Sequence, residues 1–407
     1  MNKLSNLAEN IIGSEVIKFA NIIRKKIEDG EKILNLTIGD FDPKIYPIPN
    51  VLTELIQKYY DLHKTNYPPA AGEDKLIDAV LNFINENMNT DFNKNEIVIT
   101  AGARPAIYTT YLTLLDNGDT VCYPIPSWNN NHYTYLSNCK HLGIETNEKN
   151  NYLLVASDVK EQIQDITLLS LCSPQNPTGT SYTYEQLKDI CDLVLEENKR
   201  REELNIKPLY VMYDQIYWML NYNNKHVNPI DINYDMKKYT IFIDGASKYL
   251  CATGIRVGWC IAPDHVISKM RSLLSHIGAW SPKAEQLAVA DYLITSDIYI
   301  YNENVKEKIL ISLNKIYNDI QELKAEGYDI DCIKPNSGIY LTVKINIPNV
   351  NDADEAFNVI LDKAKIGLVP MYAFGMDKKE LIFRISVGTV DETILEGFKE
   401  RLKKIYE

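Results

Sequence analysis

The stretch YTIFIDGASKYLCATGIRVGWCIAP, residues 239–263, contains two apolar runs on either side of a lysine. The runs 239–246 and 257–263 have the length and the β-branched and aromatic content of buried strands. Lys248 lies between them among small and apolar residues. Burial lowers the pKa of a lysine, and such lysines form Schiff bases, whereas a surface lysine extends its ammonium into solvent. The apolar surroundings favour the buried, reactive case.

Similar short apolar runs precede this stretch and alternate with helical patterns. The strand-like runs are EIVITAG (96–102), DTVCYP (119–124), ITLLSLCSP (166–174) and PLYVMYD (208–214). The helical stretches lie at 51–63, 73–88 and 184–204. Apolar strands separated by helices indicate βαβ units and a mainly parallel sheet covered on both faces. Ligands of such sheets bind at the carboxyl ends of the strands.

The rest of the chain predicts a second, smaller unit. We expect a large domain over 49–289, an N-terminal helix and arm over 1–48, and a small α+β domain over 290–407. An amphipathic pattern predicts a helix over 1–30, and ILNLTIGD (33–40) predicts a strand or extended arm. CIKPNSGIYLTVKI (332–345) predicts a strand pair, and ETILEGFKERLKKI (392–405) predicts a final helix.

Composition excludes several classes of function. A net charge of −12 argues against nucleic-acid binding, which requires clustered basic charge. No apolar run approaches the ~20 residues of a membrane span. Seven cysteines without a C-x-x-C pair indicate reduced thiols and a cytoplasmic protein, and the histidines show no H-x-x-x-H spacing for a metal.

Polar, aromatic or small residues follow the predicted strands. They are Gly102-Ala103-Arg104, Trp128, Asn176 within SPQNPTG, Asp214 within DQIY, and Ser247-Lys248. Each alone has an ordinary structural explanation: a tight turn, a core aromatic, a proline-rich turn, a helix N-cap or a surface lysine. Together they supply an aldehyde-reactive amine, a carboxylate, a flat aromatic and anion donors. Pyridoxal phosphate requires that set.

The ordered motifs SPQNPTG, DQIY, GASK followed by GIRVG, and FRISVG resemble the class I/II aminotransferases. These are fold type I pyridoxal-phosphate enzymes of the aspartate aminotransferase superfamily, and the resemblance runs from about residue 33 to the C-terminus. It implies a three-layer αβα large domain with a mainly parallel sheet that binds pyridoxal phosphate, plus a smaller α+β domain.

The resemblance also implies roles for the residues that match. Lys248 would form the Schiff base with the cofactor and then move the proton. Asp214 would pair with the ring nitrogen, Tyr217 and Asn176 would hydrogen-bond the phenolic oxygen, and Trp128 would stack on the ring.

The remaining roles implied by the resemblance concern the phosphate and the substrate. The phosphate would be bound by Gly102, Ala103, Ser247 and Arg256. The substrate carboxylate would bind Arg384 beside Gly39, with Trp128 and Asn176 also bordering the substrate. Tyr67 would reach the phosphate of a neighbouring subunit, which implies a homodimer with shared active sites.

Some positions depart from the family pattern. Gln215 replaces a usual Glu, and Ile255 replaces a usual Trp; we expect only local effects. Arg104, beside the phosphate-binding residues, occupies the place of a lysine that binds the substrate's distal carboxylate in one branch of aspartate aminotransferases; the alternative is a solvent-facing residue at a helix start. His132 follows Trp128 one residue later than in relatives where a histidine supports the ring-nitrogen aspartate.

The function expected from this resemblance is a ping-pong aminotransferase for small amino acids and 2-oxo acids, with aspartate and 2-oxoglutarate as the first choice. Arg104 is the reason for that choice. The alternatives are an aromatic aminotransferase, a C–S β-lyase or a decarboxylase of the same fold, and a ligand-binding regulator that kept the domain. Residues 15–20 and Trp280, Ser281 and Lys283 are further candidates for specificity.

Overall fold

The computed structural model describes residues 4–222 and 225–407, and it contains two main β-sheets surrounded by helices. The α-helices are α1 Asn6–Asn10, α2 Glu15–Glu28, α3 Asn50–Asp61, α4 Asp74–Met88, α5 Ala103–Leu114, α6 Asn130–Leu136, α7 Ala156–Val159, α8 Tyr184–Glu203, α9 Pro229–Ile232, α10 Asp264–Ile277, α11 Lys283–Leu293, α12 Asp297–Ala325, α13 Ala353–Val359 and α14 Phe398–Lys403. The strands are β1 Leu34–Asn35, β2 Ile97–Thr100, β3 Thr120–Ile125, β4 Lys140–Glu145, β5 Ile166–Cys172, β6 Tyr210–Asp214, β7 Thr240–Gly245, β8 Gly258–Ile261, β9 Ile330–Cys332, β10 Tyr340–Ile345, β11 Ile366–Gly367, β12 Val369–Pro370 and β13 Ile382–Ser386.

The larger sheet has seven strands in the order β2-β8-β7-β6-β5-β3-β4. All neighbours pair in parallel except β8, which is antiparallel to both β2 and β7. The crossovers between parallel strands pass through helices, as a βαβ arrangement requires. The carboxyl ends of the parallel strands therefore lie along one edge of the sheet.

Helices cover both faces of this sheet, and its strands are mostly buried apart from the edge strand β4, whose residues are exposed or half-buried. Alternate strand residues pack to opposite sides: Val211 and Tyr213 belong to the apolar cluster beneath α3, α4, α8 and α11, whereas Met212 belongs to the cluster beneath α5 and α10. This is the alternation expected for a strand with two covered faces. The predicted α/β class with a three-layer αβα arrangement is confirmed.

The smaller sheet has the order β12-β13-β10-β9, and its pairs are antiparallel. Its core includes residues of the long helix α12 and of α2, such as Ile316 and Ile23. Strand β1 pairs with β11 in parallel, which fixes the N-terminal arm to this unit. The domain limits 48/49 and 289/290 stay predictions.

Local elements differ from the sequence prediction at three places. The single helix expected over 1–30 is two helices, because Gly13 and the N-cap Ser14 interrupt the pattern between α1 and α2; residues 1–3 lie outside the described residues. Strand β4 was not predicted, since HLGIE carries little apolar signal. The final helix begins only at Phe398, after Gly397 with φ of 74°.

Within residues 4–222 and 225–407, no helix is long and apolar enough to cross a membrane. The same ranges hold no group of three or more His, Cys, Asp or Glu side chains arranged for a metal ion.

Candidate active site

A cavity of about 330 Å³ lies where the carboxyl ends of the parallel strands face the smaller sheet. It is lined by the predicted site residues other than Gly102 and Tyr67, namely Gly39, Ala103, Arg104, Trp128, Asn176, Asp214, Tyr217, Ser247, Lys248, Arg256 and Arg384. Residues from 39 to 384 thus meet in one space. Parallel strands bring their ends together at one edge, which explains how such distant segments converge.

Lys248 lies in the turn that follows β7. Its Nζ donates a hydrogen bond to the carbonyl oxygen of Gly39 at 2.8 Å, and it forms no ion pair among the described residues. Burial lowers the pKa of Lys248 to about 8; the charge of Asp40 opposes this effect, and the charges of Arg384 and Arg104 add to it. A measurable fraction of the amine is therefore neutral near pH 7, as a nucleophilic lysine requires.

Asp214 is the last residue of β6 and presents its carboxylate to the cavity. Burial raises the pKa of Asp214 to about 6, while the amide of Ile216 and the charge of Lys248 lower it. The Ile216 amide donates to Oδ1 at 3.1 Å, and no cation pairs with this carboxylate among the described residues. A buried carboxylate of this kind can accept a proton or a hydrogen bond from a cationic ligand.

Arg256 and the first turn of α5 form an anion-binding corner. The Arg256 guanidinium donates only to carbonyl oxygens, those of Thr253 at 2.5 Å and Ala101 at 2.9 Å, so its charge is not neutralised within the described protein. Gly102 has φ of 83°, and a Cβ there would lie 2.8 Å from Arg256 Cζ. The N–H groups at the start of α5, beginning with Ala103, are free of helical partners by geometry and suit an anion.

Arg384 lies in β13, on the opposite side of the cavity, and is 1% exposed. Its Nη1 donates to Asn176 Oδ1 at 3.1 Å and its Nη2 to the Thr37 carbonyl at 2.7 Å. The Nε has no hydrogen-bond partner in the described structure. A buried guanidinium without an acidic neighbour is an incomplete carboxylate site, because a bidentate carboxylate satisfies two of its N–H groups.

Arg104 and Trp128 form another part of the cavity wall. The Arg104 guanidinium carbon lies 5.2 Å from the centroid of the Trp128 ring, within the range of a cation–π contact. Arg104 forms no ion pair with any described residue. The cavity as a whole is lined by the cations Arg104, Lys248, Arg256 and Arg384 and by only two carboxylates, Asp40 and Asp214. It therefore attracts anionic ligands.

The family model for class I and II aminotransferases matches residues 31–402. The chain belongs to the class I and II aminotransferase family. This confirms the resemblance stated from the sequence motifs, and the protein is an aminotransferase.

Individual relatives agree with this assignment. An aspartate aminotransferase of Geobacillus stearothermophilus is 26% identical over 100% of this chain and 99% of its own length. A probable aspartate/prephenate aminotransferase of Aquifex aeolicus is 24% identical over 93% of this chain and 92% of its own. The solved structure of Thermus thermophilus aspartate aminotransferase with maleate has a TM-score of 0.88 at 23% identity, with full coverage of both chains. That likeness shows the same fold.

Two predicted residues of this aminotransferase lie apart from the cavity lining. Gly102 lies just behind it, against Arg256. Tyr67 is 82% exposed and contacts Trp280 edge-on, with ring centroids 5.5 Å apart. Its predicted contact with a neighbouring subunit's phosphate stays a prediction.

Three further residues singled out from the sequence, His132, Gln215 and Ile255, do not line the cavity. No hydrogen bond joins His132 to Asp214 among the described residues, so the expected support of that carboxylate is absent here; burial lowers the pKa of His132. Gln215 faces away from the cavity and contacts His226 Nε2 at 3.3 Å. Ile255 packs against the core of the larger sheet.

Of the specificity candidates, Val16, within 15–20, lines the cavity. Trp280, Ser281 and Lys283 lie with Tyr67 in a separate surface depression.

The sequence reasoning missed Asp40 and Tyr340, which both line the cavity. Asp40 directly follows Gly39, and its Oδ1 accepts a hydrogen bond from Thr253 Oγ1 at 2.7 Å. Tyr340 lies in the predicted strand pair CIKPNSGIYLTVKI, where a tyrosine is an ordinary strand residue. A polar residue at a turn could have pointed to Asp40, but no sequence signal distinguishes Tyr340.

Proposed function

We propose that this aminotransferase binds pyridoxal phosphate in the cavity and transfers the amino group of aspartate to 2-oxoglutarate in two half-reactions. The observation that carries the substrate choice is the pair of guanidiniums, Arg384 and Arg104, that line one cavity without acidic partners. The relatives named aspartate aminotransferase support the same choice.

The residues present fit pyridoxal phosphate. Its aldehyde needs an amine that is partly neutral, and Lys248 has a pKa lowered to about 8 by burial. Its phosphate needs a compact anion site, which Arg256 and the start of α5 supply, with Gly102 leaving no room for a side chain. Its ring nitrogen needs a buried carboxylate, and Asp214 lacks a cationic partner in the described structure.

When bound, the cofactor withdraws electrons from the substrate's α-carbon. In the proposal, Asp214 holds the proton on the ring nitrogen, and Tyr217 and Asn176 donate hydrogen bonds to the phenolic oxygen. Trp128 packs on the ring, and Ser247 joins Arg256 at the phosphate. Lys248 Nζ would remove the proton from the substrate's α-carbon as a general base and would then return that proton, as a general acid, to the carbon that the cofactor contributes as its aldehyde.

The substrate carboxylates are assigned to the two free arginines. Arg384 holds the α-carboxylate beside Gly39, because its buried guanidinium retains an unpartnered N–H. Arg104 holds the distal carboxylate from its place over Trp128. A guanidinium-to-carboxylate hydrogen bond contributes ~1.5–3 kcal/mol, so the loss of Arg104 corresponds to a factor of about 10–100 in kcat/KM.

The experiment follows the absorbance of the enzyme loaded with pyridoxal phosphate while aspartate and then 2-oxoglutarate are added. We expect a visible band that aspartate removes and 2-oxoglutarate restores, and Lys248→Ala provides the baseline without a covalent link to the cofactor. Arg104→Ala should slow the aspartate reaction about 10–100-fold and the alanine reaction about twofold or less, because alanine has no distal carboxylate. Arg104→Lys, which keeps the charge, should recover part of the loss.

A band that ignores aspartate would refute the substrate assignment and leave the cofactor assignment intact. Aromatic and sulfur amino acids would then be tested for transamination, and the release of pyruvate and ammonia would identify a lyase. Equal losses with aspartate and alanine in Arg104→Ala would remove Arg104 from the site.

The assembly proposed with this function is a homodimer with shared active sites, in the cytoplasm. The exposure of Tyr67 away from its own cavity supports the dimer, because an aromatic residue 82% exposed gains most from burial against another chain. The seven cysteines are all free thiols in the structure, which fits a reducing compartment.

A further inference from the structure

Two tyrosines of the cavity wall share a hydrogen bond. The hydroxyl oxygens of Tyr217 and Tyr340 are 2.7 Å apart. Tyr340 is 1% exposed and borders the same cavity as Lys248 and Arg384. The two rings meet edge-on, with centroids 5.6 Å apart.

The backbone holds the Tyr340 side chain in one place. Tyr340 begins β10 and is paired with Ser386 of β13, so Arg384 lies diagonally across the ladder on the same face. A Cβ at Gly179 would overlap the Tyr340 carbonyl oxygen, and a Cβ at Gly39 would lie 2.7 Å from its hydroxyl oxygen. Both glycines therefore permit the close packing that positions this ring.

Arg384 lies over the face of the same ring. Its guanidinium carbon is 4.6 Å from the Tyr340 centroid and 4.9 Å from that of Phe374, so the cation lies between two aromatic rings. Burial raises the pKa of both Tyr340 and Tyr217, and the Arg384 charge acts in the opposite direction on each. Both phenols are consequently protonated at neutral pH, and each has one proton to donate.

The number of protons fixes the direction of the hydrogen bond. If Tyr217 donates its proton to the cofactor's phenolic oxygen, its own oxygen can only accept, so Tyr340 must be the donor. Tyr340 has no other acceptor among the described residues.

We propose that Tyr340 is a positioning residue. Its hydroxyl donates to Tyr217 and directs the Tyr217 proton into the cavity, while its ring supports the Arg384 guanidinium that binds the substrate carboxylate. This inference rests on the proposed function and adds a residue to it.

The arrangement has a consequence for the strength of the Tyr217 hydrogen bond. A hydroxyl that accepts one hydrogen bond becomes a better donor, by roughly 10–30% per bond. The cation on the Tyr340 ring strengthens this effect, and a carboxylate bound to Arg384 weakens it by neutralising the charge. Tyr340 therefore couples the occupancy of the carboxylate site to the donor at the phenolic oxygen.

The test uses Tyr340→Phe, which removes the hydroxyl and keeps the ring under Arg384. The readouts are the pH midpoint of the visible absorbance change of the loaded enzyme, the affinity for maleate as a dicarboxylate probe, and the thermal midpoint. A weaker hydrogen bond from Tyr217 stabilises negative charge on the cofactor's phenolic oxygen less. The deprotonated form that carries this charge is then less favoured, so the proton that controls the absorbance change is lost at higher pH. We expect the midpoint to rise by about 0.3–0.5 pH unit, with maleate affinity within about twofold.

The matched control is Tyr182→Phe. Tyr182 is also buried, and its hydroxyl has no partner in the described structure and does not border the cavity. This variant should leave the pH midpoint unchanged. Gly39→Ala is a second probe, because it displaces the Tyr340 hydroxyl without removing it and should raise the midpoint as well.

Action through Tyr217 is tested in the Tyr217→Phe background, where Tyr340→Phe should cause no further shift. An equal shift in both backgrounds, or no shift with Tyr217 present, would overturn the inference. A wild-type enzyme with no visible band would instead contradict the proposed cofactor, so the two failures are distinguishable.

Discussion

Gly102→Ala tests whether the corner formed by Gly102 and Arg256 binds the cofactor phosphate. Gly102 has φ of 83°, and a new Cβ would overlap Arg256 Nη2 and lie 2.8 Å from Cζ. The guanidinium is held by the carbonyls of Thr253 and Ala101 and must move away from them or from the cavity. Either movement removes the charge from the place where the phosphate is proposed to bind.

The expected effect has two components. At Gly102 φ is 83° and ψ is 177°, a backbone conformation essentially restricted to glycine, so an alanine there costs ~1–3 kcal/mol of folding free energy. The displaced guanidinium costs a further ~1.5–3 kcal/mol in cofactor binding, the contribution of a hydrogen bond to a charged group. The second component corresponds to a dissociation constant for pyridoxal phosphate about 10–100 times higher.

The assay is a titration of cofactor-free protein with pyridoxal phosphate, and the control is Gly118→Ala. Gly118 has φ of 87°, and a Cβ there would meet no atom within 4 Å. Both variants should lose stability in denaturant unfolding because both glycines have positive φ, but only Gly102→Ala should bind the cofactor more weakly. Equal cofactor affinity in the two variants would refute the assignment of this corner to the phosphate.

Two further predictions concern the buried charges. Asp214→Asn should lower kcat at least about 100-fold, because removing one partner of a buried ion pair costs ~3–5 kcal/mol. Asp244→Asn should change kcat far less, because the Asp244 carboxylate accepts hydrogen bonds from Trp218 Nε1 and the Gly245 amide and does not border the cavity. Activity of Asp214→Asn within tenfold of wild type would contradict the assigned role. In the cofactor-free folded protein, burial lowers the pKa of Lys248 to about 8, whereas in the unfolded chain the pKa is 10.5. Between about pH 8 and 10.5 the unfolded chain therefore binds more protons than the folded protein, so the free energy of unfolding rises with pH in that window. Lys248→Met should therefore be more stable than wild type by up to ~3 kcal/mol below pH 8, and the difference should shrink toward pH 10.5 in urea unfolding; a difference independent of pH would show that the amine is not buried as a charge.

The sequence was sufficient for the parallel sheet and for the residues at its strand ends. Asp214 ends one apolar run and Lys248 lies two residues after another, and in a parallel sheet the residues at the ends of such runs must meet at one edge. That requirement depends only on local pattern and on sheet geometry, so one sequence can reveal it. The interruption of the N-terminal helix at Gly13 and Ser14 was less visible, because apolar periodicity continues across it.

The tertiary structure decided how the smaller unit completes the site: it alone added Tyr340, whereas Arg384 was expected there only from the family resemblance. Arg384 meets the carbonyl of Thr37 across 347 positions, and Tyr340 meets Tyr217 across 123. These contacts depend on how β10 and β13 pack against the turn after β6, which no local pattern encodes. His132 shows the converse, since its place near Trp128 in the sequence brings it into no hydrogen bond with Asp214 among the residues that the structure describes. The sequence by itself thus determined the chemistry available at the sheet edge, and the packing of the two sheets determined which side chains surround it.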